Sequence, residues 1–430
     1  MSWEAEYRQK LISPEEAAQL VKSGNRIVVG SVNSLPQRFM QALVKRAPEL
    51  EGVELIHMRV LADADYVKPE MEGHLRLNAF YFGPTTRQAF REGRAVFTPT
   101  TYFGVSSLFR DNYLPVDMVV LHLSPPDNGY FSYGSYIGYL TAATECARLV
   151  VAEVNDKMPW TYGQDPLHIS KLDHIIEVSY PIPELPAEPV LDVHKKIGRY
   201  VADLVEDGST LQIGVGAVPD VILSFLSGRK ELGVHTEILT NNIVPLIEQG
   251  VITNQHKRLN QGKSVATILD GSQRLFQFAH KNPLIEIYPI EYTNDPYIIS
   301  QNDKVVAINS ALEIDLTGQV NCETIDGQLY GGVGGVLDFG LGANRSSGGK
   351  NILAFPSTAK GGQVSRVVPT LKPGTVVSIP RTQVDYVVTE HGVSQLKGKT
   401  LRQRAKLLID LAAPAFRDEL WNQARSLKLT

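Results

Sequence analysis

The stretch LGVHTEILTNN, residues 232–242, sets a carboxylate inside an apolar run. V-H-T-E-I-L reads as a strand, and Glu237 lies within it. Asn241 and Asn242 then break the pattern, and NIVPLIEQG begins an amphipathic segment ending in Gly250. On a strand, Glu237 shares its side with His235, two residues earlier. Two readings follow: Glu237 is the solvated half of an alternating strand, or an acid set where a substrate arrives. His235 likewise is an acid–base partner or a packed histidine.

Segments rich in glycine and small residues bear on that choice. QIGVGAVPD (212–220) places Gly214 and Gly216 between a strand and a helix start. Backbone N–H groups can approach a ligand there, and the helix start favours an anion. No GK[ST] follows and the GxGxxG fingerprint fails at Pro219, so a nucleotide loop is not indicated, and a plain tight turn accounts for the spacing as well. In YGGVGGVLDFG (330–340), Gly331, Gly332, Gly334 and Gly335 surround Val333. Such backbone can offer an N–H to developing negative charge, or it marks a β-bulge or a close crossing of two backbones. LGANRSSGGK continues with small residues, Arg345 and Lys350, a composition that suits a mobile loop over a site or an idle surface loop. FPSTAKGGQVSRVVP (355–369) adds Lys360 and Arg366, either a hold for a phosphate-bearing ligand or solvated charge. Taken together, one acid among potential anion stabilisers has the composition of a covalent-catalysis site without a metal.

Other chemistries have no motif. HExxH, CxxC and GxSxG are absent, and neither Cys146 nor Cys322 has an activating pattern. Lys+Arg 42 against Asp+Glu 46 gives a net charge of -4, which argues against a nucleic-acid binder. No run of about 18 apolar residues indicates a membrane span. The N-terminus, MSWEAEYRQKL, has no signal-peptide core, so a cytoplasmic protein is expected.

The elements that must position these residues alternate along 430 residues, enough for two domains. SPEEAAQLVKSG carries a capping box, Ser13 to Glu16 with Pro14 between, and Gly24 as its stop. RIVVG, VELIHMRV, DMVVLHLS, RLVVAEVN and HIIEVS are short apolar runs between helices, the pattern of parallel strands buried on both faces. YPIPELPAEPV (180–190) holds four prolines and reads as a linker or a long surface loop. The α/β rhythm restarts after it, giving expected domains 1–183 and 184–430, the second carrying Glu237. The tail, from Thr400, reads as two helices divided near Pro414.

The ordered segments LQIGVGAVPD, LGVHTE, INSALEIDLTGQVN, GGVGGVLDF, PSTAKGGQVSRVVP and VVTEHGVSQLKGKTLRQRA resemble the acetyl-CoA hydrolase/transferase family of class I CoA-transferases. YRQKLISPEEAAQLVKSGNRIVVG and LSPPDNGYFSYG extend the resemblance over the first half. Within the family, the HTE context is most similar to 4-hydroxybutyrate and butyryl-CoA:acetate CoA-transferases. The resemblance implies two related α/β domains with largely parallel sheets, of NagB/RpiA-like architecture, with CoA bound at their interface. It implies Glu237 as nucleophile, with Asn294 of YTNDP and Gly335 of GVGG as oxyanion groups. Gly214, Val215, Gly216, Ala217, Gly332, Gly334, Lys360 and Arg366 are the implied CoA and substrate contacts. CoA would be a substrate rather than a resident cofactor, with acyl-CoA and small carboxylic acids as partners and a homodimer or dimer of dimers as the assembly. An acyl-CoA hydrolase and a non-catalytic CoA-binding regulator are the alternatives.

Overall fold

A computed structural model describes residues 2–186 and 188–430. The chain forms two compact units. The first is the chain up to Pro186 with Leu239–Asn241 and Val265–Thr293. The second is the stretch ending at Ile238 with Asn242–Ser264 and Asn294–Thr430. Two segments that follow the proline-rich stretch therefore belong to the first unit.

The first unit is built on a seven-stranded sheet in the order His174–Val178, Leu149–Asn155, Met118–Leu123, Arg26–Val29, Val53–His57, Leu75–Ala79, Ala95–Phe97. Every pairing is parallel. All six residues of Met118–Leu123 are buried, as a strand covered on both faces requires. The last two strands escape the apolar pattern: Arg76 and Asn78 interrupt one, and the other has three residues. The capping box forms, with Glu16 N–H donating to Ser13 Oγ at 3.1 Å and Ser13 N–H to Glu16 Oε2 at 2.7 Å. Its helix, Pro14–Gln19, ends before Gly24, which turns the chain at φ +78°. The proline-rich segment is partly packed rather than free: Ile182 is buried, and Leu185 N–H donates to Gly271 O at 3.0 Å. Ala187, within that segment, lies outside the described residues.

The second unit has a six-stranded sheet in the order Gly233–Val234, Thr210–Ile213, Val305–Asn309, Lys350–Ala354, Tyr386–Thr389, Gly392–Gln395. Only the last pairing is antiparallel. From Thr210–Ile213 the sheet continues to Gly233–Val234 on one side and Val305–Asn309 on the other. The loop leaving its carboxyl end therefore opens at a topological switch point, the usual ligand position in such sheets. The tail forms Leu401–Leu411 and Pro414–Ser426, divided at Pro414, with Leu408, Ile409, Leu420 and Ala424 in the core. Among the described residues no helix is long and apolar enough to cross a membrane.

Two expectations need correction. V-H-T-E-I-L is not one strand. It breaks into Gly233–Val234 and Ile238–Leu239, and Glu237 sits on the bend between them. The small-residue stretch around LGANR is no loop either: Val336–Arg345 is a ten-residue helix. Its glycines disfavour helix by about 1 kcal/mol each, which hid it in the sequence. Their use is close packing. A Cβ on Gly342 would stand 2.5 Å from Ile299 Cγ2, and one on Gly340 2.9 Å from Asn351 Nδ2.

A buried carboxylate locks the first unit. Glu153, on Leu149–Asn155, accepts from Phe39 N–H at 2.5 Å and from Tyr180 O–H at 2.6 Å. It thereby caps the start of the helix Gln37–Arg46. Burial pushes Glu153 up to about 7, against the lowering pull of those donors and Arg38. Buried His122, held down to about 3 by desolvation, contacts Asn155 at the same strand end. A carboxyl group raised on folding stabilises the fold most below its unfolded value and loses that contribution as pH rises through about 7. Between pH 5 and pH 8, wild type should therefore lose on the order of 2 kcal/mol relative to Glu153→Gln, read as diverging urea midpoints. Parallel pH profiles for the two proteins would refute the assignment.

Candidate active site

The loop after Thr210–Ile213 carries Gly214, Val215 and Gly216 and ends in the helix Ala217–Ser224. Gly216 has φ +115° and ψ 178°, which only glycine adopts without strain. Nothing lies within 4 Å of a Cβ built on Gly214, so that position is open. Ala217 N–H, at the helix start, donates to the Glu188 carboxylate at 3.1 Å. A reciprocal amide pair, Gln212 with Asn309 at 3.0 and 3.2 Å, ties the two strands flanking the switch point.

Glu237 lies one strand over, half-buried on its bend. Asn294 Nδ2 donates to Glu237 Oε2 at 2.9 Å. The asparagine is fully buried, two residues before the helix Pro296–Ser300. Asp295 caps the second of these by accepting from Tyr297 N–H at 2.7 Å, and Pro296 sets its first turn. The Asn294 Oδ1 atom is buried without a hydrogen-bond partner among the described residues. The amide is thus held by its place in the fold, with its NH2 aimed at the carboxylate.

Gly335 closes the trio. It precedes the helix Val336–Arg345, and its φ of -93° suits any residue. Space decides instead: an added Cβ would fall 1.9 Å from Glu237 Oε2 and 2.5 Å from Asn294 Nδ2. The Glu237 carboxylate therefore rests against a helix N-terminus, where unpaired N–H groups and the helix dipole favour negative charge. His235 packs on the same helix, its ring edge-on to Phe339 at 6.3 Å. Gly332 and Gly334 belong to the turn entering that helix, Gly334 at φ +57°.

Lys360 and Arg366 lie in the same unit, at the hairpin Thr358–Ala359/Val364–Ser365. Lys360 is exposed and Arg366 is half-buried. Burial lowers the Arg366 guanidinium from its ordinary value, with Glu390 and Tyr330 opposing. Glu390 itself accepts from Ser357 N–H at 2.8 Å and Ser357 O–H at 2.6 Å. Geometry therefore unites Glu237, Asn294 and Gly335, and Arg366 at its hairpin lies within electrostatic reach of Tyr330, the residue before the glycine-rich turn. The sequence reading missed Thr236, whose hydroxyl reaches Ile213; nothing in its position along the chain marks that contact.

Residues 1–185 match the acetyl-CoA hydrolase/transferase N-terminal domain, and residues 271–424 match the C-terminal domain of the same family. A 4-hydroxybutyrate coenzyme A transferase of Clostridium kluyveri is 45% identical over 98% of this chain and 99% of its own. The chain belongs to the acetyl-CoA hydrolase/transferase family. A succinyl-CoA:cyclohexane-1-carboxylate CoA transferase of Geobacter metallireducens is 43% identical, covering 99% and 97% of the two chains. A solved 4-hydroxybutyrate CoA-transferase of Porphyromonas gingivalis superposes with a TM-score of 0.86 at 41% identity, over 99% of this chain and all of the other. Full-length likeness to transferases makes this family member a CoA-transferase.

Gly335→Ala tests the packing of the trio directly. Its backbone tolerates alanine, but the methyl group and the Glu237 carboxylate cannot share the space. If Glu237 carries the reaction, thioester turnover should fall about 100-fold or more, while the melting temperature stays close to wild type. Near-normal turnover would show that Glu237 has room to move without loss.

Proposed function

We propose that this CoA-transferase moves CoA between a short-chain acyl-CoA and a small carboxylate, acetate with butyrate or 4-hydroxybutyrate, through covalent intermediates on Glu237. The observation that carries the reading is the Glu237 carboxylate held by Asn294 Nδ2 at 2.9 Å against Gly335 at a helix start.

A Glu237 oxygen attacks the acyl carbonyl carbon. The C–S bond breaks, CoA leaves as thiolate, and an acyl-glutamyl anhydride remains. The thiolate then attacks the glutamyl carbonyl carbon, the C–O bond breaks, and the first acid departs as its carboxylate. The product is a glutamyl-CoA thioester. A second carboxylate attacks that thioester and expels thiolate, which attacks the new acyl carbon, releases the Glu237 carboxylate and leaves as acyl-CoA. Charge balances in each step without a proton. A carboxylate side chain suits the task because it can be acylated, carry CoA and be restored.

Each tetrahedral step places negative charge on a carbonyl oxygen. The Asn294 amide and the backbone at Gly335 supply fixed donors for it. In this reading the open loop Gly214–Ala217, with Gly332 and Gly334, receives the thioester arm, and Lys360 and Arg366 meet CoA phosphates. Both covalent intermediates hydrolyse in water, so exclusion of water favours transfer. The acid partner rests on the relatives' substrates, and a methylene changes pocket affinity by only about 1–3 kcal/mol.

Incubation with acetyl-CoA and trapping with borohydride or hydroxylamine, followed by peptide mass spectrometry, is expected to place the modification on Glu237 alone. Glu237→Ala should lose the adduct and turnover together, and Asn294→Ala should lose about 3 kcal/mol of transition-state stabilisation, roughly 100-fold in kcat. Transfer should depend on added carboxylate. An unmodified wild type, or full-rate thioester loss without an acceptor, would count against the mechanism.

A further inference from the structure

The three residues of H-T-E reach three different neighbours. His235 N–H donates to Leu211 O at 3.0 Å, next to the Leu211–Val234 pairing of the parallel ladder. Its ring meets Phe339 on the helix that Gly335 begins. Glu237 turns to Gly335 and Asn294. Between them, Thr236 faces the other way, as alternation requires. Its side chain is 2% exposed. Its hydroxyl accepts from Ile213 N–H at 3.4 Å and lies within donating reach of Ile213 O at 3.2 Å and Ile238 O at 3.1 Å. Ile213 is the last residue before the open Gly214–Ala217 loop. Ile238 is the residue after Glu237.

We propose that Thr236 is a positioning residue for the nucleophile: its hydroxyl fixes the bend carrying Glu237 to the residue that launches the glycine loop. The proposal rests on the CoA-transfer reading above. Past His235 the two segments leave regular pairing, and the link is carried by a side chain that touches both ends. One hydroxyl then sets the spacing between the attacking carboxylate and the loop that receives the thioester. Its loss should slow the chemical step without weakening acyl-CoA binding.

Valine keeps the branched shape of threonine and replaces the hydroxyl with a methyl group. Thr236→Val is expected to lower kcat by about 10- to 100-fold with KM for acyl-CoA within about twofold. The trapped Glu237 adduct should reach full amplitude per folded protein, but more slowly. Thr236→Ser, which restores the hydroxyl, should return to within about threefold of wild type. A valine variant with wild-type kcat would overturn the proposal. So would a serine variant as slow as valine, or an adduct amplitude that falls in step with the rate, which marks misfolded protein rather than a misplaced carboxylate. A wild type that forms no adduct at all removes the CoA-transfer reading, and this inference with it.

Discussion

One carboxylate oxygen, Glu237 Oε2, has a donor on one side and a missing side chain on the other. Asn294 Nδ2 stands 2.9 Å away, and the Cα of Gly335 leaves the space that any β-carbon would fill. Much of the second unit is arranged around that arrangement. The helix beginning at Gly335 must come close, so Gly340 and Gly342 let it sink onto Asn351 and Ile299. Asn294 is fully buried just before a short helix started by Asp295 and Pro296. Past His235 the chain leaves its ladder, and the Thr236 hydroxyl reaches Ile213 O and Ile238 O there.

These devices share a logic. In the proposed reaction a carboxylate that attacks carbon has to be held without being neutralised, and a neutral amide and a helix start can do this. In that proposed reaction, preorganised dipoles would keep their orientation as charge moves from Glu237 to a substrate oxygen. The glycine content of the region follows from the same requirement, because dipoles act at full strength only at short range.

Much of the fold was legible in advance. The runs RIVV, VELIH, MVVLHL, LVVAEVN and HIIEV appear as parallel strands because strands buried on both faces must be apolar throughout. The S-P-E-E capping box was readable because it is local chemistry. LRLNA and AVF were not, since polar interruptions and short length erase the signal at the sheet's edge. The helix Val336–Arg345 was hidden because its glycines answer to Ile299 and Asn351, which lie far away in sequence.

The sequence by itself determined the acid, the glycine-rich segments, the strand–helix alternation and, through full-length likeness, the family. Each of these is written in residue type or local order. Tertiary structure alone decided that Glu237 leaves its strand and that Gly335 is glycine for space rather than for backbone conformation. It also decided that Thr236 joins Ile213 and Ile238, and that Lys360 and Arg366 share one hairpin. The reason is one of range. Propensity and patterning act over a few residues, whereas the 2.9 Å contact between Glu237 and Asn294 spans 57 positions and exists only once the sheet has brought them together.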